Sequence, residues 1–285
     1  MSAPQVVLGL VNGAFYALLS LGLAVIFGML NVINFAHGAQ FMMGAFVAWM
    51  LLNWLGIPYW GALVLSPLIV GAFGVLLERT MISRLYKLDH LYGLLLTFGL
   101  ALIIEGVFRN QFGSSGLPYS PPAALTGAPL DLGFMMLPKY RVWVVVAAMV
   151  ICLATWLVIE KTRLGAYLRA ATENAPLVQA FGVNVPRMIT LTYGAGVALA
   201  ALAGVLAAPI YSVNPGMGSS FIITVFAVVV IGGMGSILGS VITGFGLGLV
   251  EGLTKVVYPE ASATVIFVIM AIVLLARPAG LFGRA

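Results

Sequence analysis

The sequence predicts an all-α polytopic membrane protein, and three observations predict it. Of 285 residues, 62% are hydrophobic and only 7% are charged, with a mean hydropathy of +1.13. A soluble domain carries about 25% charged residues, so this chain cannot cover a water-facing surface. Apolar stretches recur from end to end at close to the length of a bilayer crossing, about 20 residues. The charges fall in the short polar seams between those stretches.

Candidate segments lie near 5–30, 41–55, 59–78, 91–108, 141–159, 188–209, 221–234, 236–254 and 262–276. Nine is the best count, and other breaks give eight to ten; all belong to one transmembrane domain over 1–285. The first segment follows MSAPQVVLGL without a preceding positive stretch, so it reads as a retained span and not a cleaved signal peptide. The second and seventh are short, roughly 15 residues each. Short, glycine-interrupted segments point to broken or re-entrant helices, whose unwound backbone is tolerated only against protein or a water-filled cavity.

Lysine and arginine set the orientation. Arg79, Arg84 and Lys87 follow the third segment; Lys161, Arg163, Arg169 and Arg187 fall in 160–187; Arg277 and Arg284 close the chain. These nine of thirteen basic residues share one side, which the positive-inside rule assigns to the cytoplasm. Arg109, Lys139, Arg141 and Lys255 lie on the other, at span ends where they snorkel. Nine crossings then put the N-terminus outside. The net charge of +5 is explained by anionic headgroups and this asymmetry, so no nucleic-acid partner is expected.

Two connections exceed hairpin length. Outer segment 109–140 holds five of the fourteen prolines (Pro118, Pro121, Pro122, Pro129 and Pro138) and predicts rigid extended structure over the mouth of the protein. Cytoplasmic segment 160–187 predicts two short helices, Leu164 to Thr172 and Ala175 to Phe181. Asn174 is the N-cap of the second, Pro176 sits in its first turn, and Gly182 takes the left-handed position after it. The second helix would expose Leu177, Val178 and Phe181. Its apolar face suits either the bilayer surface or a soluble partner's groove.

Enzyme chemistry has little to rest on. There is no G-x-x-x-x-G-K-[ST] phosphate loop, so ATP would have to be bound by another subunit. Two distant histidines, His37 and His90, and the lone Cys152 make no metal site. Glu105 and Glu251 near the outer span ends pair with Arg109 and Lys255, each one helical turn on. Glycine is dense late in the chain. Gly232, Gly233 and Gly235 predict a sharp inner turn in GGMGS. Gly235–Gly239 and Gly244–Gly248 have the small-xxx-small spacing that suits tight packing within the subunit, a subunit interface or a hinge. On the outer side, Asn214-Pro215-Gly216 is a turn signal before the seventh segment, which reads as a loop or as part of a surface that receives a soluble protein, the loop being favoured.

The polar seam NVINFAHGAQ, residues 31–40, has two readings. It is a turn in which Asn34 caps the next helix and Gly38 relieves crowding, or a broken helix that lines a pathway. The candidate pathway or gate groups are Asn12, Asn34, His37 and Gln40, whose neutral side chains can hydrogen-bond a passing solute.

Five stretches carry a family resemblance: INFAHG (33–38), GLLLTFGLALI (93–103), RAATEN…AFGVNV (169–185), VIGGMGSILG (230–239) and RPAGLFG (277–283). In this order they resemble the permeases of branched-chain amino acid ABC importers, of the LivH type, over essentially the whole chain. The resemblance implies a second permease subunit, homologous or identical, two cytoplasmic ATPases that bind ATP and Mg, and an extracytoplasmic solute-binding protein. It also implies that Arg169, Glu173, Asn174, Ala175, Gln179, Ala180 and Gly182 belong to the ATPase-docking segment. The chain itself would hold no cofactor. Branched-chain amino acids or related small polar solutes would be carried across the bacterial inner membrane. The rival function is a stand-alone carrier or channel for a solute such as urea or an amide.

Overall fold

The computed structural model describes residues 3–283, and Arg284 lies outside the described residues. Ten α-helices follow one another among them. They are α1 (Ala3–Leu30), α2 (His37–Leu55), α3 (Tyr59–Thr80), α4 (His90–Phe112), α5 (Lys139–Lys161), α6 (Arg163–Ala180), α7 (Val185–Tyr211), α8 (Met217–Gly232), α9 (Ile237–Val257) and α10 (Val265–Ala276). Seven are long and apolar enough to cross a membrane, and α8 and α10 are shorter apolar helices. With polar α6 set aside, nine membrane segments remain in the expected order. The second is longer than its apolar run, because the polar turn His37–Gln40 is already helical.

Helix α1 is the centre of the bundle. It runs antiparallel to α9, with Gly9 against Gly252, Gly13 against Gly244 and Phe245, and Gly28 against Gly235. It is also antiparallel to α7, with Tyr211 hydrogen-bonded to Asn12 and Gly196 against Gly22. Glycine is what brings α1 and α9 together: a Cβ on Gly9 would stand 2.5 Å from the Gly248 carbonyl oxygen, and one on Gly244 would stand 2.5 Å from Ala17 N. The spacing 244–248 thus serves packing inside this subunit. Gly232 and Gly239 do the same between α8 and α9, and the turn between those helices needs the positive φ of Gly233 (103°) and Gly235 (87°).

The connections rich in Lys and Arg collect at one end. Asn31, Leu85, Asp89 and Ala175 line one cleft there, and Gly28, Arg169, Gly235 and Phe282 line another. By the positive-inside rule this end is cytoplasmic. The opposite end carries the start of α1, the α2–α3 turn at Gly56 and segment 113–138. That segment is more structured than its prolines suggest. It forms a 3-10 turn (Ala123–Leu125) and a hairpin pairing Leu130–Asp131 with Met136–Leu137, and Leu117 pairs with Val213. Both interfacial ion pairs are present: Glu105–Arg109 at 2.6 Å and Glu251–Lys255 at 2.7 Å, with the Tyr16 hydroxyl also donating to Glu251.

A side chain at the α1–α9 contact must separate the helices, whereas Gly246 on the same helix has open space. Gly248→Leu is therefore expected to cost ~1–3 kcal/mol or more through overpacking and to lower the thermal unfolding midpoint of the purified protein. Gly246→Leu should leave that midpoint within a degree or two.

Candidate functional site

Two helices restart inside the bundle. The His37 Nε2–H donates to the Leu19 carbonyl at 3.0 Å, yet α1 continues eleven residues past Leu19. At 1.5 Å per residue that places the start of α2 roughly 16 Å above the inner end of α1. Residues 31–34 climb along α4 outside any helix, and Phe35 and Ala36 turn the chain into α2. On the way the Phe35 N–H donates to Thr97 Oγ1 at 3.1 Å, and the Thr97 hydroxyl reaches the Ile33 carbonyl at 3.3 Å.

The outer half repeats the device upside down. Helix α7 ends at Tyr211, and residues 212–216 return into the bundle before α8 starts. Asn31 (φ 56°) and Ser212 (φ 55°) open the two breaks, and they are the two non-glycine residues with positive φ among the described residues. The first turns of α2 and α8 touch: a Cβ on Gly38 would stand 2.7 Å from the Gly218 carbonyl oxygen. From that contact α2 runs outward and α8 inward, so two helix N-termini face each other in mid-membrane. The stretch 211–220 is therefore not a surface loop. Its Asn214-Pro215-Gly216 turn, closed by Met217 N–H to the Asn214 carbonyl at 3.3 Å, leads into the bundle.

Of the predicted pathway residues, Asn34, His37 and Gln40 come together and are fully buried. The Asn34 amide donates to Gln40 Oε1 at 2.9 Å. Asn34 does not cap α2: the N-cap position is Ala36, and no side chain caps it. The amide is turned inward to Gln40 because the turn Asn34–His37, closed by the His37 N–H on the Asn34 carbonyl at 3.2 Å, puts Ala36 and not Asn34 at the helix start. Gly22 makes room for the imidazole, since a Cβ on it would stand 2.8 Å from His37 Cε1. Ser20 Oγ, Asn34 Oδ1 and His37 Nδ1 are buried with no hydrogen-bond partner among the described residues. Such atoms call for water or a polar solute. Asn12 is apart from this group, half-buried near the outer end and accepting from the Tyr211 hydroxyl at 2.9 Å.

At the cytoplasmic end α6 breaks at Asn174 (φ −151°, ψ 85°), whose side chain accepts from the Leu177 N–H at 3.0 Å. The helix thus divides into the two expected pieces, and Gly182 (φ 87°) ends the second. Leu177 and Phe181 are exposed, Phe181 at 82%. Val178 instead turns inward and packs against the core. Glu173, Asn174, Gln179, Ala180 and Gly182 are exposed; Ala175 is half-buried; Arg169 donates to the Ile159 carbonyl at 3.0 Å.

Glu78, the last residue of the third predicted segment, is buried beneath α6. It accepts from the Tyr86 hydroxyl at 2.8 Å and the Thr190 hydroxyl at 2.6 Å, tying α3, the α3–α4 connection and α7 together. Burial first, and the Glu78 carboxylate second, raise the Tyr86 phenol above its ordinary range. No pattern in the sequence singles out Glu78.

The model of a family described as "Branched-chain amino acid transport system / permease component" matches residues 5–275. The chain belongs to that family. This permease is 30% identical to the high-affinity branched-chain amino acid transport system permease protein BraD of Pseudomonas aeruginosa, over 98% of this chain and 95% of BraD. It is 29% identical to LivH of Escherichia coli K12, over 97% and 94% of the two chains. It is 31% identical to a probable LivH of Methanocaldococcus jannaschii, over 93% and 88%. The permease is a multi-pass membrane protein and a transport component, not a catalytic one.

The Asn34–Gln40 bond gives the permease a measurable buried pair. Asn34→Leu and Gln40→Met should each lower stability by ~0.6–1.7 kcal/mol, the scale of hydrogen bonds between membrane helices. The double variant should lose less than the sum in thermal unfolding, and strict additivity would show that the two amides do not interact.

Proposed function

We propose that this permease is one of two membrane subunits of an ATP-binding-cassette importer that carries branched-chain amino acids or related small polar solutes across the bacterial inner membrane. The observation that carries the reading is the pair of interrupted helices. A mid-membrane break lined by buried, incompletely bonded polar groups is costly, and a transport pathway is what makes use of it. Asn34, His37 and Gln40 are the gate groups in this reading, with neutral hydrogen bonding as their chemistry.

The second permease subunit, homologous or identical, completes the pathway along the shared face. Two ATPases, which hold the ATP and Mg, dock on Arg169–Gly182, and Leu177 and Phe181 are the apolar side chains available to enter a groove on each. A solute-binding protein delivers substrate to the outer end, where segment 113–138 lies. Closure of the ATPase pair moves the second half of α6 and switches which side of the membrane the pathway faces.

The test is co-purification and transport. Phe181→Glu, together with Leu177→Asp, should weaken ATPase association about thirtyfold or more, as loss of an interface hot spot worth ~2 kcal/mol does, with the permease still folded. Uptake in proteoliposomes should require ATP hydrolysis. Uptake driven by an ion gradient without ATPase subunits would replace the importer with a stand-alone carrier.

A further inference from the structure

We propose that a groove on the lipid-facing side of the bundle binds one anionic phospholipid of the inner leaflet. The groove lies between α3, α5 and α7 and encloses about 730 Å³. A clasp closes its outer end: the Tyr59 and Tyr140 hydroxyls bond at 2.9 Å, the Trp143 indole N–H donates to Tyr59 at 3.0 Å, and Tyr140 donates to the Leu206 carbonyl at 2.7 Å. Towards the cytoplasm small residues leave the space open, Ala154 on α5 and Ala195 and Ala198 on α7, with Val25 of α1 as the back wall. Val158, Leu191 and Ala195 are exposed, so the groove opens sideways to the bilayer. From Arg187 to Leu202, the two ends of its α7 wall, the helix rises roughly 22 Å. Half of a hydrocarbon core is about 15 Å. The groove therefore runs through the inner leaflet and has the length for an acyl chain.

The inner mouth of this apolar groove is charged. Arg187 stands there beside Asn184. Its guanidinium is exposed and has neither an ion pair nor a hydrogen bond among the described residues. Arg79 lines the adjoining cleft, and the acid there, Glu78, is buried and occupied by the Tyr86 and Thr190 hydroxyls. A cation in the first turn of a helix opposes the helix dipole, so Arg187 does nothing for α7. Basic groups at the cytoplasmic end of a space between membrane helices attract anionic lipid, and a guanidinium takes a phosphate through two N–H groups at once. One molecule answers both features, with its phosphate on Arg187 and an acyl chain along Ala195 and Leu199. The cleft along α2, α4 and α8, where the interrupted helices meet, is lined by none of these residues. A second permease subunit that completes the pathway there leaves the groove to lipid.

The full permease, reconstituted in vesicles of equal parts phosphatidylethanolamine and phosphatidylglycerol, tests the site by native mass spectrometry. One phosphatidylglycerol should stay bound to the wild type in preference to phosphatidylethanolamine. Arg187→Gln should cut that preference about fivefold, the worth of one basic group at an anionic surface. Ala195→Phe fills the groove and should abolish retention of that lipid, whereas Val150→Phe, exposed on α5 outside the groove, should change nothing. Ala154→Phe fills the groove from the opposite wall and serves if Ala195→Phe does not fold. Equal retention of the two lipids by the wild type, an unchanged preference in Arg187→Gln, or full retention in a folded filling variant overturns the site. In the assembled importer, a cross-link from Ala195→Cys to the second permease would give the groove to that subunit and overturn it as well.

Discussion

Everything in this structure depends on the rule that backbone polar groups in a membrane need partners. An uninterrupted helix obeys it by itself; a helix that stops half-way does not. The permease stops two helices and stitches each break from outside. Thr97 of α4 serves the inner break through a single hydroxyl that accepts from Phe35 N–H and reaches the Ile33 carbonyl. At the outer break the Val213 N–H and carbonyl exchange hydrogen bonds with Leu117 at 2.9 and 2.7 Å. The outer segment is thereby tied to the breaks: its first part is the backbone partner of the chain that re-enters the bundle.

Such breaks must also be surrounded by protein, and this explains where glycine is spent. Helix α1 is buried over most of its length, which requires α7 and α9 to approach closely. Gly9, Gly13, Gly22, Gly244 and Gly248 allow that approach, and Gly44 and Gly204 do the same between α2 and α7. Lipid offers no hydrophobic drive for helices to associate, so close van der Waals contact between backbones has to supply the cohesion. Gly38 and Gly218 then serve a double purpose. They let two helix starts touch, and a side chain at either would meet the other's backbone carbonyl.

Much of this was legible in the sequence. Apolar runs gave nine segments in the right order, and the shortness of 221–234 marked a helix that does not cross. Capping chemistry placed the α6 break at Asn174 and its end at Gly182, because those signals act within a few residues. Charge pairs one turn apart, Glu105–Arg109 and Glu251–Lys255, were readable for the same reason. What failed to show depended on distant contacts. The first turn of α2 is polar, so hydropathy began that helix four residues late, at Phe41 and not His37. Asn34 could be read as a cap or as a group of a broken helix; it bonds Gln40 and caps nothing, because the chain around it is held by Thr97 from another helix. The stretch 211–220 looked like a surface turn, and only its contact with Gly38 shows that it enters the bundle. Burial of Glu78 depends on Thr190, 112 residues away.

The inner end has a mechanical consequence. Ala175 shares a cleft with Ile82, Tyr86 and Ile189, and Tyr86 is bonded to the same carboxylate as Thr190. Close-packed interiors transmit displacement and do not absorb it. A push on the second half of α6 therefore reaches α7 by two routes, through the short chain Phe181–Asn184 and through the Tyr86–Glu78–Thr190 joint. Helix α7 is 27 residues long and ends at the outer break, while its middle, at Gly196, packs on α1 beside His37. One rigid rod thus connects the α6 face to both places where the backbone is interrupted. The first half of α6 is held differently, by Arg169 on the end of α5. Asn174 separates the two halves, so the second half has its own anchor, Ala175 and Val178 packed on the core, while its Leu177 and Phe181 stay exposed.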